Sequence, residues 1–437
     1  MLAKLATEGR PATAEEKETL SKFRGWGGIP FGHYYTTRQL RNSYNSDAQR
    51  LADAIDVLDP AEQKGLLSAI SKAALTSYYT PTAIARSMNR FLSLAGYKGG
   101  SLLDPSMGSG IFEGTLPEDI QQRTMIHGVE LDWLTGQIAK ALYPDGNIQV
   151  TGFEDAGTAM EAFDVVESNI PFGSIKVTDP TWKHDSSPVR KAAQGRIHNY
   201  FAVKMLESTK PGGLCVIMTS NAILDTASNA IIRDYIADQA EIVGVVRLPD
   251  NTFKGAGTSA VTDVLFLRKF RDTEDRGNTR DDEKYRTQVL QPFLSTVTKD
   301  VTKKIDGTKV KVEYNGYFGA HPDFMIGNVI GGNQYKADAF GLTSDLSTDE
   351  IAAAMDKLLE KKIVGTRKGK LFNTAKTDRE VHEAVRESYV GNGDYISSGN
   401  IVEQDGKFGI VSQTKSKYGD VTRTFEERPG MKGKAAR

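Results

Sequence analysis

The sequence Phe163-Asp-Val-Val-Glu-Ser-Asn-Ile-Pro-Phe-Gly173 decides how the chain is interpreted. Residues 163–166 form a short run with two β-branched side chains, which predicts a strand buried in a parallel sheet. The turn after it offers a side-chain amide at Asn169, a rigid ring at Pro171 and an aromatic ring at Phe172. These groups can hold a planar heterocycle that carries an amino group, but an ordinary turn uses the same residue types.

Length, charge and cysteine content limit the classes of protein to which the chain can belong. Its 437 residues predict two or three domains, and a net charge of -1 gives no overall preference for nucleic acid or membrane. The one cysteine, Cys215, excludes an internal disulfide framework and a cysteine-rich zinc site. No signal-peptide pattern begins the chain, and the apolar runs are far shorter than the ~20 residues of a membrane span. We therefore expect a cytoplasmic protein with no membrane partner.

Short β-branched runs alternate with helical stretches between residues 78 and 270, which predicts a doubly wound α/β sheet. Seven strands are expected, at residues 101–103, 126–130, 148–151, 163–166, 214–219, 242–247 and 263–268. Only the loop 249–258 separates the last two strands. These two should pair antiparallel, because a parallel return needs a crossover of a dozen or more residues. Helices are expected at 80–95, 133–142 and 198–209.

The N-terminal segment, residues 1–77, differs from this α/β pattern. Its apolar residues recur at helical spacing in 14–23 and 48–75, which predicts a helical region. The glycine-rich segment 24–32 between them predicts either a ligand loop or a connector packed by Trp26, and the connector is the favoured interpretation.

The C-terminal segment, residues 271–437, predicts a linker followed by a small α+β region. Residues 271–286 are dense in charge and indicate a solvated linker. A small β unit is expected at 288–317 and a helix at 345–362, and the polar tail is expected to be mobile. The predicted domains are therefore 1–77, 78–270 and 271–437.

A glycine-containing loop, Asp104-Pro-Ser-Met-Gly-Ser-Gly-Ile-Phe112, follows the first predicted strand. Gly108 and Gly110 permit a tight turn and a close approach of backbone amides to a ligand. A dinucleotide site would present Gly-x-Gly-x-x-Gly, but here the third glycine comes one residue late. The carboxylate of Asp104 would repel phosphate and attract an ammonium group. The segment predicts either a structural turn or a ligand loop of this kind.

Acidic and aromatic residues follow the next two predicted strands. Glu130 ends the second strand, where a carboxylate would accept hydrogen bonds from ribose hydroxyls. Asp132 could share that role or cap the following helix, and capping is favoured. After the third strand, Phe153 could lie against an adenine ring or belong to the core. Glu154 or its neighbour Asp155 could accept a hydrogen bond from the adenine amino group.

The sequence Tyr78-Tyr-Thr-Pro81 precedes an amphipathic helix. Tyr79 and the hydroxyl of Thr80 could close a ligand pocket. Alternatively, Thr80 could cap the helix, with Pro81 in its first turn. A helix that begins at the mouth of the sheet can serve in both ways.

Taken in this order, the segments resemble the N6-adenine-specific DNA methyltransferases, which depend on S-adenosylmethionine. They are similar to the catalytic domains of type I modification subunits, over roughly residues 20–270. Phe23-Arg-Gly-Trp-Gly-Gly28 and Asn169-Ile-Pro-Phe-Gly173 further resemble the methylase regions of large methylase-helicase proteins on phages and conjugative elements. The family tetrapeptide usually has Pro where this chain has Ile170. The chemistry requires a main-chain carbonyl there, which Ile supplies as well as Pro.

The resemblance implies a Rossmann-like seven-stranded methyltransferase sheet with an antiparallel terminal strand and S-adenosylmethionine as cofactor. It implies that the Asn169 side-chain oxygen and the Ile170 carbonyl bind the hydrogens of the target adenine amine, while Phe172 stacks on the flipped base. The implied catalytic residues are Asn169, Ile170, Pro171 and Phe172. The implied cofactor-binding residues are Tyr79, Thr80, Asp104, Pro105, Gly108, Gly110, Phe112, Glu130, Phe153 and Glu154. No metal, covalent enzyme intermediate or catalytic cysteine is expected, because the cofactor sulfonium is already activated.

DNA is the partner that the resemblance implies. The loop 174–196 interleaves basic and aromatic residues. This pattern fits phosphate contact and base stacking, and it also fits a solvated loop without a ligand. The residues concerned are Lys176, Trp182, Lys183, His184, Arg190, Lys191 and Arg196. Residues 299–311 could form a recognition element or a lysine-edged hairpin without a ligand. The chain has no Gly-x-x-x-x-Gly-Lys-Ser/Thr sequence. A helicase activity would therefore come from a partner, such as another mobile-element protein.

Two other functions are compatible with the sequence. The first is methylation of an RNA guanine or a protein glutamine, by enzymes that often have Tyr where this chain has Phe172. The Tyr-Thr-Pro segment favours DNA adenine instead. The second is a catalytically degenerate methylase module that binds DNA. The combined presence of acids, glycines and the turn amide argues against it, since a degenerate site needs none of them.

Overall fold

The fold is taken from a computed structural model. It describes residues 79–254 and 259–374 except 304–305, 334–335 and 337–338, with strands at 401–404, 407–415 and 421–427. In the N-terminal part it describes residues 1, 2, 5, 8, 10–23, 25, 36–42, 46–57, 60, 63, 64, 66, 67 and 70. Tyr78, Trp26, most of the segment 24–32 and the polar tail other than residues 421–427 lie outside the described residues.

A seven-stranded sheet forms the centre of the molecule, with strand order β3-β2-β1-β4-β5-β7-β6. Its strands are β1 (Gly100–Asp104), β2 (Thr124–Glu130), β3 (Asn147–Val150), β4 (Phe163–Asn169), β5 (Thr209–Ser220), β6 (Ala240–Leu248) and β7 (Thr262–Lys269). All seven predicted strands are confirmed. Most of their β-branched and aliphatic residues are buried, as expected for strands with both faces covered, and the exceptions lie in β2 and β3.

The strand directions confirm the predicted methyltransferase sheet. The β1·β2, β1·β4, β2·β3 and β4·β5 pairs are parallel. β7 is antiparallel to both β5 and β6, and it lies between them. Although β7 is the last strand of this sheet along the sequence, it is an inner strand in space, and β6 forms the edge of the sheet. The strand order reverses between β1 and β4, and ligands of open α/β sheets bind beside such a reversal.

Helices precede, connect and follow the strands. The described α-helices are α1 (Ala14–Leu20), α2 (Thr37–Arg41), α3 (Ser46–Ile55), α4 (Thr82–Ala95), α5 (Ile111–Thr115), α6 (Glu118–Gln121), α7 (Trp133–Leu142), α8 (Pro188–Ala193), α9 (Ile197–Ser208), α10 (Ala222–Asp225), α11 (Ala230–Gln239), α12 (Thr273–Asp281), α13 (Glu283–Tyr285), α14 (Gln291–Leu294), α15 (Gly316–Ala320) and α16 (Thr348–Leu358). The helices predicted at 80–95, 133–142 and 198–209 are confirmed as α4, α7 and α9. No helix in the described part of the chain is long and apolar enough to cross a membrane.

The C-terminal region adds two small sheets that lie within the described ranges up to residue 374. The strands β8 (Thr296–Thr302) and β9 (Lys309–Asn315) form the predicted β unit, and β10 (Asn328–Gly331) pairs with β11 (Phe340–Thr343). A third sheet consists of β12 (Ile401–Gln404), β13 (Lys407–Lys415) and β14 (Val421–Glu427). The small α+β character expected of this region is therefore observed.

The structure corrects the expectation of a solvated linker at 271–286. This segment forms α12 and α13, with Asp272 accepting from Asp275 N as an N-cap. The carboxylate of Asp275 pairs with Arg268 of β7 at 2.7 Å, and the Tyr285 hydroxyl accepts from Ile242 N of the edge strand at 2.9 Å. Charge density alone suggested a linker, but capping and these contacts to the sheet stabilise a helix.

Candidate active site

A cavity of about 320 Å³ opens at the carboxyl ends of β1, β2 and β4. Ten of the predicted site residues line it: Tyr79, Thr80, Pro105, Gly108, Phe112, Glu130, Phe153, Glu154, Asn169 and Pro171. The structure thus brings together residues from segments far apart in the sequence. Because the strand order reverses between β1 and β4, the loops after these strands diverge and leave room for a ligand.

The side chain of Asn169 is held by a residue from the start of the helical segment. Its Nδ2 donates to Thr80 Oγ1 at 3.1 Å, and both residues line the cavity. Helix α4 begins after Pro81, and no side chain caps it. The interpretation of Thr80 as the cap is therefore wrong, since its hydroxyl turns towards β4 instead. The neighbouring Ile170 is 1% exposed, and its N–H donates to Met218 O of β5 at 2.9 Å.

A chain of hydroxyl hydrogen bonds joins the loop after β1 to the turn after β4. Ser168 Oγ donates to Asp104 Oδ1 at 2.6 Å, and Ser106 N donates to the same oxygen at 3.0 Å. Ser106 Oγ lies 2.7 Å from Ser168 Oγ and donates to Asn169 O at 2.9 Å. Asp104 is fully buried beneath the cavity and does not line it. This acid therefore fixes the two loops to each other.

Burial has a strong effect on the ionisation of Asp104. It raises the pKa of this carboxyl to about 7, although the hydrogen bonds from Ser168 and Ser106 act in the opposite direction. Its Oδ2 is buried and has no hydrogen-bond partner among the described residues. A nearby cationic group would favour the ionised form, so the site is suited to a ligand with positive charge.

Glu130 presents its carboxyl group at the edge of the cavity. Its Oε2 accepts from Gly108 N at 2.8 Å, and its Oε1 accepts from Asp132 N at 2.7 Å. Burial raises the pKa of Glu130 to about 7, against the effect of these two amides. Asp132 accepts from Thr135 N at 2.9 Å and from Thr135 Oγ1 at 2.6 Å, so the favoured capping interpretation is confirmed.

The two glycines of the loop after β1 have different surroundings. Gly108 has φ +58°, and a Cβ there would meet only Tyr79 Cε1, at 3.6 Å, so the space in front of this backbone is open. Gly110 has φ +84°, and a Cβ there would lie 2.2 Å from the Tyr143 ring. The Tyr143 hydroxyl donates to Gly110 O at 2.6 Å. Gly108 therefore leaves space for a ligand, whereas Gly110 is required by the packing of the turn.

The opposite wall of the cavity contains an aromatic ring held by a buried ion pair. The ammonium of Lys204 lies 4.7 Å from the centre of the Phe153 ring and donates to Phe153 O at 2.8 Å. It also donates to Asp179 Oδ2 at 2.8 Å, and Tyr200 OH donates to the same oxygen at 2.7 Å. Phe153 is thus both a core residue and a wall of the cavity. No sequence pattern indicated Lys204, because no residue near it in the chain suggests a ligand.

The loop 174–196 is more ordered than a solvated loop would be. Trp182 is 4% exposed, and the Arg190 guanidinium lies 5.2 Å from its ring centre. Arg190 also pairs with Asp185 and, at 2.8 Å, with Glu207. Trp182 and Arg190 already contact other parts of the protein, so they are poor candidates for DNA contact. Lys176, Lys183, His184 and Lys191 are exposed.

The set of predicted site residues differs in part from the set of residues that line the cavity. Asp104, Gly110, Ile170 and Phe172 do not line the cavity. Lys176, predicted for DNA contact, lines it too, as do residues that the sequence did not indicate: Ser106, Met107, Ile111, Leu131, Thr151, Gly152, Ile175, Val177, Thr178, Ile197 and Phe201. Several of these directly neighbour predicted residues and could have been found by extending each motif. Ile197 and Phe201 belong to α9, and no local pattern in the sequence places them here.

Comparison with known proteins gives a family match over the sheet. Residues 64–290 match the family model described as N-6 DNA Methylase. Over 242 residues, the chain is 31% identical to the defense against restriction protein B of Escherichia phage P1, covering 53% of this chain and 10% of the relative. Over 211 residues, it is 24% identical to the type I restriction enzyme MjaIX methylase subunit of Methanocaldococcus jannaschii, covering 44% and 37%. The chain thus spans well under two thirds of the length of these relatives.

Solved structures that match part of the chain were also found. The methyltransferase subunit of the type I restriction-modification system from Streptococcus thermophilus is 19% identical, with a TM-score of 0.39. That match covers 53% of this chain and 61% of the solved one.

Proposed function

The chain belongs to the N-6 DNA methylase family, and on that premise we propose that it transfers a methyl group from S-adenosylmethionine to the N6 amine of adenine in DNA. The observation that carries this proposal is the placement of the Asn169 amide at the cavity, with its Nδ2 bonded to Thr80. In this bond the nitrogen end of the amide faces Thr80. The carbonyl end is then the one suited to accept a hydrogen bond from an amino group.

The cavity fits S-adenosylmethionine on several counts. Its volume lies near the lower end of the range for small-molecule sites. Glu130 supplies a carboxylate for hydroxyl donors, and Gly108 leaves backbone space for a ligand. Phe153 and Phe201 supply aromatic surface. The buried Asp104 carboxyl, whose pKa burial raises to about 7, would supply negative charge beneath the loop when a cationic ligand favours its ionised form. When bound, the cofactor supplies a methyl group on a positively charged sulfur.

The protein residues would act on the target base by orienting it. The Asn169 side-chain oxygen and the Ile170 carbonyl would accept the two amine hydrogens, which withdraws the nitrogen lone pair from the ring. The Ile170 N–H is already bonded to β5, which ties the start of the turn to the sheet just before the residue whose carbonyl is used. Phe172, which is half-buried next to the turn, would stack on the flipped base. Positioning of this kind can contribute several kcal/mol to catalysis.

We propose residues 78–270 as the catalytic domain, with 1–77 and 271–437 as flanking regions. DNA is the proposed partner, and the similarity to a phage protein and a type I methylase subunit supports a role beside restriction systems or mobile elements. A helicase supplied by another protein is the second proposed partner.

The test is methyl transfer by the purified full chain. The chain would be incubated with methyl-labelled cofactor and, in parallel, with DNA, RNA or protein. Labelled N6-methyladenine in DNA, detected by mass spectrometry, is the expected product. Asn169→Ala should retain cofactor binding and lose the label. Label in RNA or protein only, or an unlabelled DNA pool at saturating cofactor, would overturn the proposal.

A further inference from the structure

An exposed apolar side chain stands at the rim of the cavity on the side of the catalytic turn. Ile175 is 45% exposed, and it lies six residues after Asn169. Among the described residues, the exposed large apolar side chains are Met1, Val57, Leu131, Trp133, Met160, Ile175 and Leu346. Of these, Leu131 and Ile175 line the cavity. Leu131 follows Glu130 of β2, whereas Ile175 follows the turn that carries Asn169, so Ile175 is the exposed apolar residue on the segment of the catalytic turn.

The segment that carries Ile175 has a firmly held base. Val177 is buried, and its N–H donates to Gln194 O at 3.0 Å. Asp179 N donates to Gln194 Oε1 at 3.0 Å, and the Asp179 carboxylate pairs with Lys204. An apolar side chain on a held segment keeps its position when a macromolecule presses against it. Loss of conformational freedom on binding is then small.

The neighbouring residue supplies a positive charge. Lys176 is exposed and also lines the cavity. An apolar tip beside a lysine matches the surface of a nucleic acid, in which stacked bases lie inside a row of phosphates. Trp182, the other large side chain of this loop, is buried and cannot take that role.

We propose that Ile175 is a wedge that enters the duplex and fills the gap left when the target adenine is flipped into the cavity. This inference rests on the proposed function. Flipping removes a base from the stack, and the free energy of the open duplex rises unless another apolar group covers the exposed neighbours. Ile is one of the side chains that insert between base steps in DNA-bending proteins. Lys176 binds a backbone phosphate next to the inserted side chain.

The experiment compares two duplexes that carry the same adenine, chosen as one that the wild-type chain methylates. In one duplex the adenine is paired with thymine, and in the other it lies opposite an abasic site, which makes flipping easy. Ile175→Ala should lower kcat/KM on the paired duplex by about tenfold. On the duplex with the abasic site, the same variant should equal the wild type. Ile175→Leu should retain activity on both, because the apolar volume is kept.

Leu346→Ala is the control, because Leu346 is also exposed and apolar but lies outside the cavity. This variant should match the wild type on both duplexes. A 2-aminopurine placed at the target position should brighten on binding to wild type and much less on binding to Ile175→Ala. Equal activity of Ile175→Ala and wild type on the paired duplex, or an equal loss on both duplexes, would overturn the inference alone. A wild-type chain that methylates no DNA would overturn the proposed function as well.

Discussion

The Nδ2 of Asn169 donates to Thr80 Oγ1 at 3.1 Å, across 89 residues of sequence. This bond joins the end of β4 to the residue before the N-cap of α4. It explains why a Tyr-Thr-Pro segment belongs to the same site as the Asn-Ile-Pro-Phe turn. In this arrangement the nitrogen end of the asparagine amide faces the threonine hydroxyl.

Thr80→Val should therefore impair methyl transfer without removing the cofactor site. Valine keeps the shape but not the hydroxyl, so the Asn169 amide loses a bond worth about 1 kcal/mol. We expect kcat to fall roughly tenfold, with the dissociation constant of S-adenosylmethionine changed less than about twofold. Steady-state kinetics and calorimetry would measure the two quantities. Thr80→Ser, which keeps the hydroxyl, should restore kcat, and a valine variant with wild-type kcat would exclude this role.

Cofactor affinity should increase with pH through neutrality. Burial raises the pKa of Glu130 to about 7, so most of the population carries a proton at pH 6. Hydroxyl donors bind the ionised carboxylate better, which means that binding releases a proton. The affinity should rise about tenfold from pH 6 to pH 8, as measured by calorimetry in buffers of different ionisation enthalpy. Glu130→Gln should bind more weakly and lose most of this slope. A retained slope would assign the proton to another group, such as Asp104.

Stability should fall as pH rises because of Glu167 on β4. Both carboxyl oxygens are buried without a hydrogen-bond partner among the described residues, and burial raises the pKa well above its usual range. Between the ordinary pKa and the raised one, the folded state holds a proton that the unfolded state has released. In that window, each pH unit lowers the free energy of unfolding by about 1.4 kcal/mol.

Glu167→Gln should remove this contribution. Urea unfolding at pH 6, 7 and 8 should show a smaller decline for the variant than for wild type. Glu274→Gln on the exposed face of α12 is the control and should follow wild type. Parallel curves for Glu167→Gln and wild type would mean that Glu167 has little effect on the pH dependence.

The Lys204–Asp179 pair should contribute to both stability and the cofactor site. Both side chains are buried, and the pair is 2.8 Å apart. Lys204→Met leaves the Asp179 carboxylate without its cation, which should lower the free energy of unfolding by about 3–5 kcal/mol. The double variant Lys204→Met/Asp179→Asn should recover a large part of this loss, because no buried charge remains.

A second measurement on these variants separates packing from function. Lys204 holds the Phe153 ring and carbonyl, so the double variant should still bind the cofactor more weakly than wild type. If cofactor affinity falls and recovers together with the free energy of unfolding in every variant, the role of the Lys204–Asp179 pair is purely structural.

The sequence by itself determined the sheet and the order of the motifs along it. The β-branched runs predicted seven strands, and the short connection before the last strand predicted its antiparallel pairing. The cap at Asp132 was also predictable, because it depends on residues within one helical turn. These features follow from local residue patterns and connection lengths, and both can be read from the sequence alone.

Only the tertiary structure decided how these motifs meet. It turned the Thr80 hydroxyl towards Asn169 rather than towards a helix end, and it buried Trp182 beneath Arg190. It also left Ile175 exposed at the rim while placing Asp104 beneath the loop. Each of these outcomes depends on neighbours that are distant in the chain. The free energy of a buried polar or exposed apolar group is set by those neighbours, and the sequence pattern around the residue does not contain them.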